Sequence, residues 1–100
     1  MKKPAPIDPH CLGEYLDRLD GWNYEEGSIV RSVRCRSFRA TVAMMCEIAL
    51  LAERFNHHPD WRGSYLELEI RLTTHAIGGL SALDFKLAEA IDRIACYYIQ

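Results

Sequence analysis

The sequence predicts an α+β fold in which helices cover one face of an antiparallel sheet. Three observations carry that prediction. From Tyr65 to Thr73 the chain alternates, with Leu66, Leu68, Ile70 and Leu72 on one side and Glu67, Glu69, Arg71 and Thr73 on the other. Such a pattern marks a strand with one face buried and one wet, as antiparallel sheets have. From Phe38 to about Asn56 the apolar residues recur every three or four positions, the period of a long amphipathic helix. Between the N-terminus and the end the order of elements is helix, two strands, helix, strand region, helix.

Each element follows from local chemistry. Asp8 as cap and Pro9 at the first helical position open a first helix, and Leu12, Tyr15, Leu16 and Leu19 give it an apolar face. Gly21 stops it. Trp22 to Tyr24 and Ser28 to Arg36 are predicted strands, joined by the tight turn Glu25-Glu26-Gly27, where glycine suits a positive backbone angle. In the second strand Ile29, Val33 and Cys35 share one side and Ser32, Arg34 and Arg36 the other, while Val30 and Arg31 interrupt the pattern. Ser37 caps the long helix, whose buried stripe is predicted as Phe38, Val42, Met45, Ile48, Ala49, Ala52 and Phe55, widened by Met44, Leu50 and Leu51. A helix apolar over so much of its circumference has room for a sheet on one side and a second subunit on the other. Pro59 ends that helix near Asn56. A strand around His58 to Arg62 would bring the sheet to four strands. Ser81 caps the last helix, Asp84 takes the capping-box position, and Leu80 and Phe85 are spaced as a hydrophobic staple. Its inward face is predicted as Leu87, Ala88, Ile91, Ile94, Ala95 and Tyr98.

Composition narrows the class of function. The chain of 100 residues is 49% apolar and 26% charged, which suits one globular domain. Residues 8–100 are read as that domain and 1–7, with its prolines, as a flexible tail. A net charge of −2 argues against nucleic acid as the main partner, because phosphate binding needs a concentrated positive surface. Arg18, Arg31, Arg34, Arg36, Arg39 and Arg54 could form a local basic patch or simply sit on solvated faces. No run approaches the ~20 apolar residues that cross a bilayer, and no apolar stretch follows Lys2 and Lys3 to make a secretory signal, so a cytoplasmic location is expected. Cys11, Cys35, Cys46 and Cys96 have no Cys-x-x-Cys spacing and are read as reduced thiols, mostly buried.

The chemistry gathers on histidine, the side chain that most readily exchanges protons near neutral pH. Three of the four histidines fall at two structural corners, in Glu53-Arg-Phe-Asn-His57-His58-Pro59-Asp-Trp61 and in Thr74-His75-Ala76-Ile-Gly78-Gly79. Pro59 holds the His57-His58 step extended. Glu53 stands at i, i+4 from His57, close enough on a continuing helix to orient its ring. Successive residues of an extended chain point to opposite sides, so His57 and His58 share a pocket only if the corner is irregular. His75 ends the alternating strand on the polar side, and Gly78 and Gly79 permit close backbone approach to a ligand. Zinc is the weaker reading, with no His-Glu-x-x-His and no cysteine at ligand spacing. His10 is read as an exposed helix-start residue.

Together these pieces, Glu-x-x-x-His-His-Pro-x-Trp, then Tyr65, then Leu-Thr-Thr-His-x-x-Gly-Gly-Leu-Ser-x-x-Asp-x-x-Leu-Ala, resemble the pterin-4a-carbinolamine dehydratases from about Leu12 to Ile94. The resemblance implies a four-stranded antiparallel sheet with three helices packed on one face. It implies dehydration of 4a-hydroxytetrahydropterin to the quinonoid dihydropterin, which recycles the cofactor of aromatic amino acid hydroxylases. It implies no metal and no cofactor, the pterin being the substrate, and assembly as a homodimer or homotetramer. By the same resemblance His57 and His75 would be the proton-transfer pair, His58 would bind or orient the pterin, and Glu53 would position His57. Trp61, Thr74 and Ala76 would line the substrate site. Ala76 stands where an acidic residue is common in that family, Leu66 where a polar one is frequent, and Cys35 where an aromatic is usual. Two other readings fit the same residues: a non-catalytic protein-binding module on this scaffold, and a dehydratase of another pterin, such as one in molybdopterin metabolism.

Overall fold

A computed structural model describes residues 3–100. Helix α1 spans Leu12–Asp17, strand β1 Asn23–Glu25, strand β2 Ser28–Arg34, helix α2 Phe38–Phe55, strand β3 Asp60–Ser64, strand β4 Glu67–Leu72 and helix α3 Ala82–Ala95. The four strands form one antiparallel sheet in the order β1-β2-β4-β3, with a 3-10 turn over His75–Ile77 before α3. The expected fold class is the one observed, and the strand expected around His58 to Arg62 is β3.

The alternating residues do what their period requires. Ile29 and Val33 of β2 lie opposite Leu72 and Leu68 of β4, and all of them are buried under the helices, with Ile70 between. Burial of each such side chain stabilises the fold by about 1.5–3 kcal/mol. The other face of the sheet carries Arg34, Glu67, Glu69, Arg71 and Arg62. Arg31 lies on the core side of β2, where Asp92 of α3 accepts from its guanidinium and also from the Trp22 indole N–H. That pairing explains why an arginine breaks an otherwise apolar stripe. Arg34 pairs with Glu67, Arg36 donates to the Tyr97 carbonyl, and Arg18 lies over the Tyr15 ring. The arginines are thus spread among separate partners, and most do not form the local patch considered from sequence.

Several boundaries move, each for a local reason. Helix α1 starts at Leu12, later than expected. Asp8 uses its carboxylate on the His10 N–H and its carbonyl on the Cys11 N–H, which makes a turn before the helix begins. Of the expected tail, residues 1 and 2 lie outside the described residues, while the Ile7 N–H donates to the Leu80 carbonyl and Pro6 bridges Ser81. Glu26 and Gly27 both take positive φ, 44° and 82°, the two-residue turn that best matches strand twist. Strand β4 begins at Glu67, because Tyr65 and Leu66 form the turn from β3. Tyr65 has φ of 53°, an uncommon conformation for a bulky residue.

Ser37 caps α2 by accepting from the Ala40 N–H. The buried stripe of that helix is rotated from the predicted one. Ala40, Thr41, Met44, Ile48 and Ala52 face the core, while Phe38, Val42 and Leu50 are exposed and Ala49 is on their side. An all-round apolar helix has no unique stripe in its sequence; the sheet decides which side it takes. In α3, Leu87, Ala88, Ile91 and Ala95 are buried as expected and Ile94 partly so, while Tyr98, also partly buried, lies in the turn past the helix end at Ala95. The four cysteines are free, but Cys46 and Cys96 are exposed rather than buried. Among the described residues no helix is long and apolar enough to cross a membrane.

Candidate active site

The two histidine corners meet at one end of the sheet, where α2 ends, β3 starts, β4 ends and α3 begins. The first corner is built by Asn56. It closes α2 in the left-handed conformation, with φ of 50°, which asparagine tolerates better than most residues. The next N–H, that of His57, then turns back to the Ala52 carbonyl at 3.0 Å. This reversal sends the His57 ring inward, where the residue is 9% exposed. His58 follows on the extended step before Pro59 and points outward, its side chain 59% exposed. The pair therefore splits between interior and surface.

The inward ring meets a carboxylate. His57 Nε2 lies 2.5 Å from Asp84 Oδ1, and Asp84 is fully buried. A carboxylate oxygen accepts, so Nε2 donates to it, and in the neutral ring Nδ1 then holds the lone pair. Among the described residues no buried side-chain nitrogen or oxygen lacks a partner. Nδ1, with no hydrogen-bond partner among the described residues, is therefore the ring nitrogen left open to solvent. The second oxygen of Asp84 accepts from Thr74 Oγ1 at 2.8 Å and from the Ser81 N–H at 2.9 Å. Since the Thr74 hydroxyl donates to Asp84, the Ser81 hydroxyl donates to Thr74 across 2.7 Å. Asp84 also sits in the first turn of α3, where the helix dipole favours a negative charge.

Sequence reasoning gave Asp84 a capping role and nothing more. The capping bond is present, but the carboxylate has two oxygens, and the free one holds His57. Thr74, expected to touch substrate, is 4% exposed and its hydroxyl is committed to Asp84 and Ser81. Glu53 does not position His57. The C-cap reversal carries that ring away from the surface of α2, and Glu53 Oε1 lies instead 3.4 Å from His58 Nε2, both side chains being exposed.

The second corner follows Thr74. Its N–H donates to the Gly79 carbonyl at 2.8 Å, and Gly78 closes the turn with φ of 66°. His75 and Ala76 are held on the exposed side of this turn. The expectation that His75 ends the strand is corrected: β4 stops at Leu72, and His75 opens the 3-10 turn. Its Nε2 lies 3.6 Å from Asp60 Oδ2 at the start of β3. Trp61, opposite Ile70, stands on the other face of β3 from Asp60 and is 36% exposed. A separate apolar groove of about 320 Å³ borders the same turn through Ile77, Gly78 and Gly79, with Tyr24 and Leu12 on its far side. None of the histidines lines it.

The arrangement thus joins a buried, carboxylate-held imidazole to an exposed imidazole through Asp84 and Thr74. Such a pair can give and take protons around a small molecule.

Residues 5–94 match the sequence profile of the family described as Pterin 4 alpha carbinolamine dehydratase. A protein of Sinorhizobium medicae, provisionally named pterin-4-alpha-carbinolamine dehydratase, is 40% identical over 93% of this chain and 90% of its own. One of Prochlorococcus marinus strain MIT 9313, with the same provisional name, is 43% identical over 81% of this chain and 84% of its own. The crystal structure of a protein from Brucella melitensis, described as a transcriptional coactivator/pterin dehydratase, superimposes with a TM-score of 0.88. It is 32% identical, and the match covers 91% of this chain and 99% of that one. The chain therefore belongs to the pterin 4 alpha carbinolamine dehydratase family.

Proposed function

We propose that this protein dehydrates 4a-hydroxytetrahydropterin to the quinonoid dihydropterin, with His57 and His75 moving the protons. The observation that carries the reading is the buried His57–Asp84 bond beside the His75 turn. Loss of water from a carbinolamine needs an acid to protonate the departing hydroxyl and a base to take the ring-nitrogen proton. The carbon–oxygen bond breaks, water leaves, and the electron pair of the nitrogen–hydrogen bond becomes the new carbon–nitrogen double bond.

His57 suits the base, because Asp84 fixes the proton on Nε2 and leaves the Nδ1 lone pair free. His75 suits the acid, since its exposed ring exchanges protons with solvent between turnovers. His58, at the surface beside Glu53, serves to orient the pterin. Ala76, next to His75 on the exposed side of the turn, bounds the space around that ring. The reaction needs neither metal nor cofactor on this reading. It belongs to the cytoplasm, where it would return the pterin to an aromatic amino acid hydroxylase.

The exposed apolar line Phe38, Val42 and Leu50 on α2 supports assembly into a homodimer or homotetramer. The same line favours a second reading, a protein-binding role, and the Brucella protein's description pairs a coactivator with a dehydratase.

The test is a stopped assay with freshly generated 4a-hydroxytetrahydropterin. Wild type should accelerate dehydration, and His57→Ala and His75→Ala should each lose about 10²–10⁴-fold while retaining the circular dichroism of the native fold. Equal turnover by wild type and the double variant rejects the assignment.

A further inference from the structure

We propose that Asp60 is the positioning residue for His75, a role that rests on the dehydratase reading above. The backbone at His75 is tightly fixed. The Thr74 N–H is bonded to Gly79, the Ile77 N–H to Thr74 and the Gly78 N–H to His75. The side chain is not: it is 71% exposed and free to rotate about two bonds. Among the described residues its ring has one charged or hydrogen-bonding neighbour, Asp60 Oδ2 at 3.6 Å. Ala76, next in the chain, has no carboxylate to offer. The carboxylate beside His75 therefore comes through space from β3.

The sheet keeps Asp60 available for this. Asp60 lies directly opposite Arg71 in the β3–β4 ladder, the cross-strand neighbour best placed to capture it. Arg71 is turned the other way, with its guanidinium 3.2 Å from Glu25 on β1. Pro59 precedes Asp60 and fixes the direction in which β3 begins. Each histidine of the site then has its own carboxylate: Asp84 for His57, Glu53 for His58 and Asp60 for His75. At 3.6 Å the Asp60 contact is an ion-pair distance rather than a hydrogen bond. Contacts of this kind tighten when substrate closes over them. Asp60 does not touch the reacting atoms in this scheme; it selects the ring orientation from which His75 delivers its proton.

The test uses the full chain with Asp60→Ala and Asp60→Glu. Two exposed partners restrict a ring only modestly, so Asp60→Ala should lower kcat about two- to fivefold and leave KM within about twofold. Asp60→Glu, whose carboxylate can reach the same ring, should restore most of the loss. In parallel, NMR of the histidine rings without substrate should show a more mobile His75 in Asp60→Ala, with His57 and His58 unchanged. Unchanged His75 ring signals overturn the proposal, whatever the kinetics. Altered ring signals with unaltered kcat also overturn it, because orientation would then not matter to the reaction. A wild type that fails to dehydrate the pterin rejects the function proposed above and Asp60's part in it, while the ring signals still decide whether Asp60 orients His75.

Discussion

Asp84→Asn separates the two tasks of one carboxylate. The asparagine carbonyl can take the place of Oδ2, where it still accepts from the Ser81 N–H and Thr74 Oγ1. Its NH₂ group then occupies the Oδ1 position, 2.5 Å from His57 Nε2 in the native protein. Two donors cannot face each other, so the His57 proton moves to Nδ1 and the lone pair turns inward. The fold loses one charge-assisted bond and gains a neutral one, at a cost of about 1–2 kcal/mol. On the proposed mechanism the reaction then loses its base, and turnover should fall by about 10²–10⁴-fold. Asp84→Ala is harsher. It orphans a buried imidazole N–H and leaves a void, costing about 3–5 kcal/mol, a large share of a typical domain's 5–15 kcal/mol. Urea unfolding gives the stabilities, ring-nitrogen NMR gives the tautomer, and the pterin assay gives turnover. If Asp84→Asn flips the tautomer yet keeps turnover within about twofold of wild type, His57 is not the base and the mechanism above is wrong.

Other perturbations test the scaffold. Ile70 is fully buried between sheet and helices; Ile70→Ala should cost about 2–5 kcal/mol in urea unfolding, and a loss below about 1 kcal/mol would contradict the packing described. The Tyr98 phenol is held above its ordinary value, mainly by the neighbouring Glu47 carboxylate. A raised folded value means that the stabilisation is complete below the unfolded value of 10.0 and fades as pH rises through the folded one. Ultraviolet titration of Glu47→Gln should therefore show one tyrosine ionising at lower pH than in wild type, and identical titrations would refute the contact. Phe38 and Leu50 are 56% and 72% exposed on one helix. The double change Phe38→Glu with Leu50→Glu should reduce the mass seen by light scattering to that of a monomer without unfolding the chain; an unchanged mass places self-association elsewhere.

The local elements were legible because their causes are local. A period of two gave β4, the Ser37 and Ser81 caps gave the starts of α2 and α3, and Glu26-Gly27 gave the first hairpin. The two corners that hold His57, His58 and His75 were legible too, since proline and glycine mark them. The partners of those histidines were not. Spacing of i, i+4 pointed Glu53 at His57, and one left-handed residue, Asn56, rotated the ring away from it. Which side of an all-apolar α2 is buried was equally open until the sheet was placed.

What the chain determined alone is the set of helices and strands and the two corners rich in histidine, because hydrogen-bond period, caps and turn residues act within a few positions. Tertiary structure decided that Asp84 meets His57 from 27 residues away and that Asp60 meets His75 across a strand edge. Those contacts depend on the order in which β2, β4 and β3 lie side by side, and no local pattern encodes that order, because it is set by which apolar faces bury one another best.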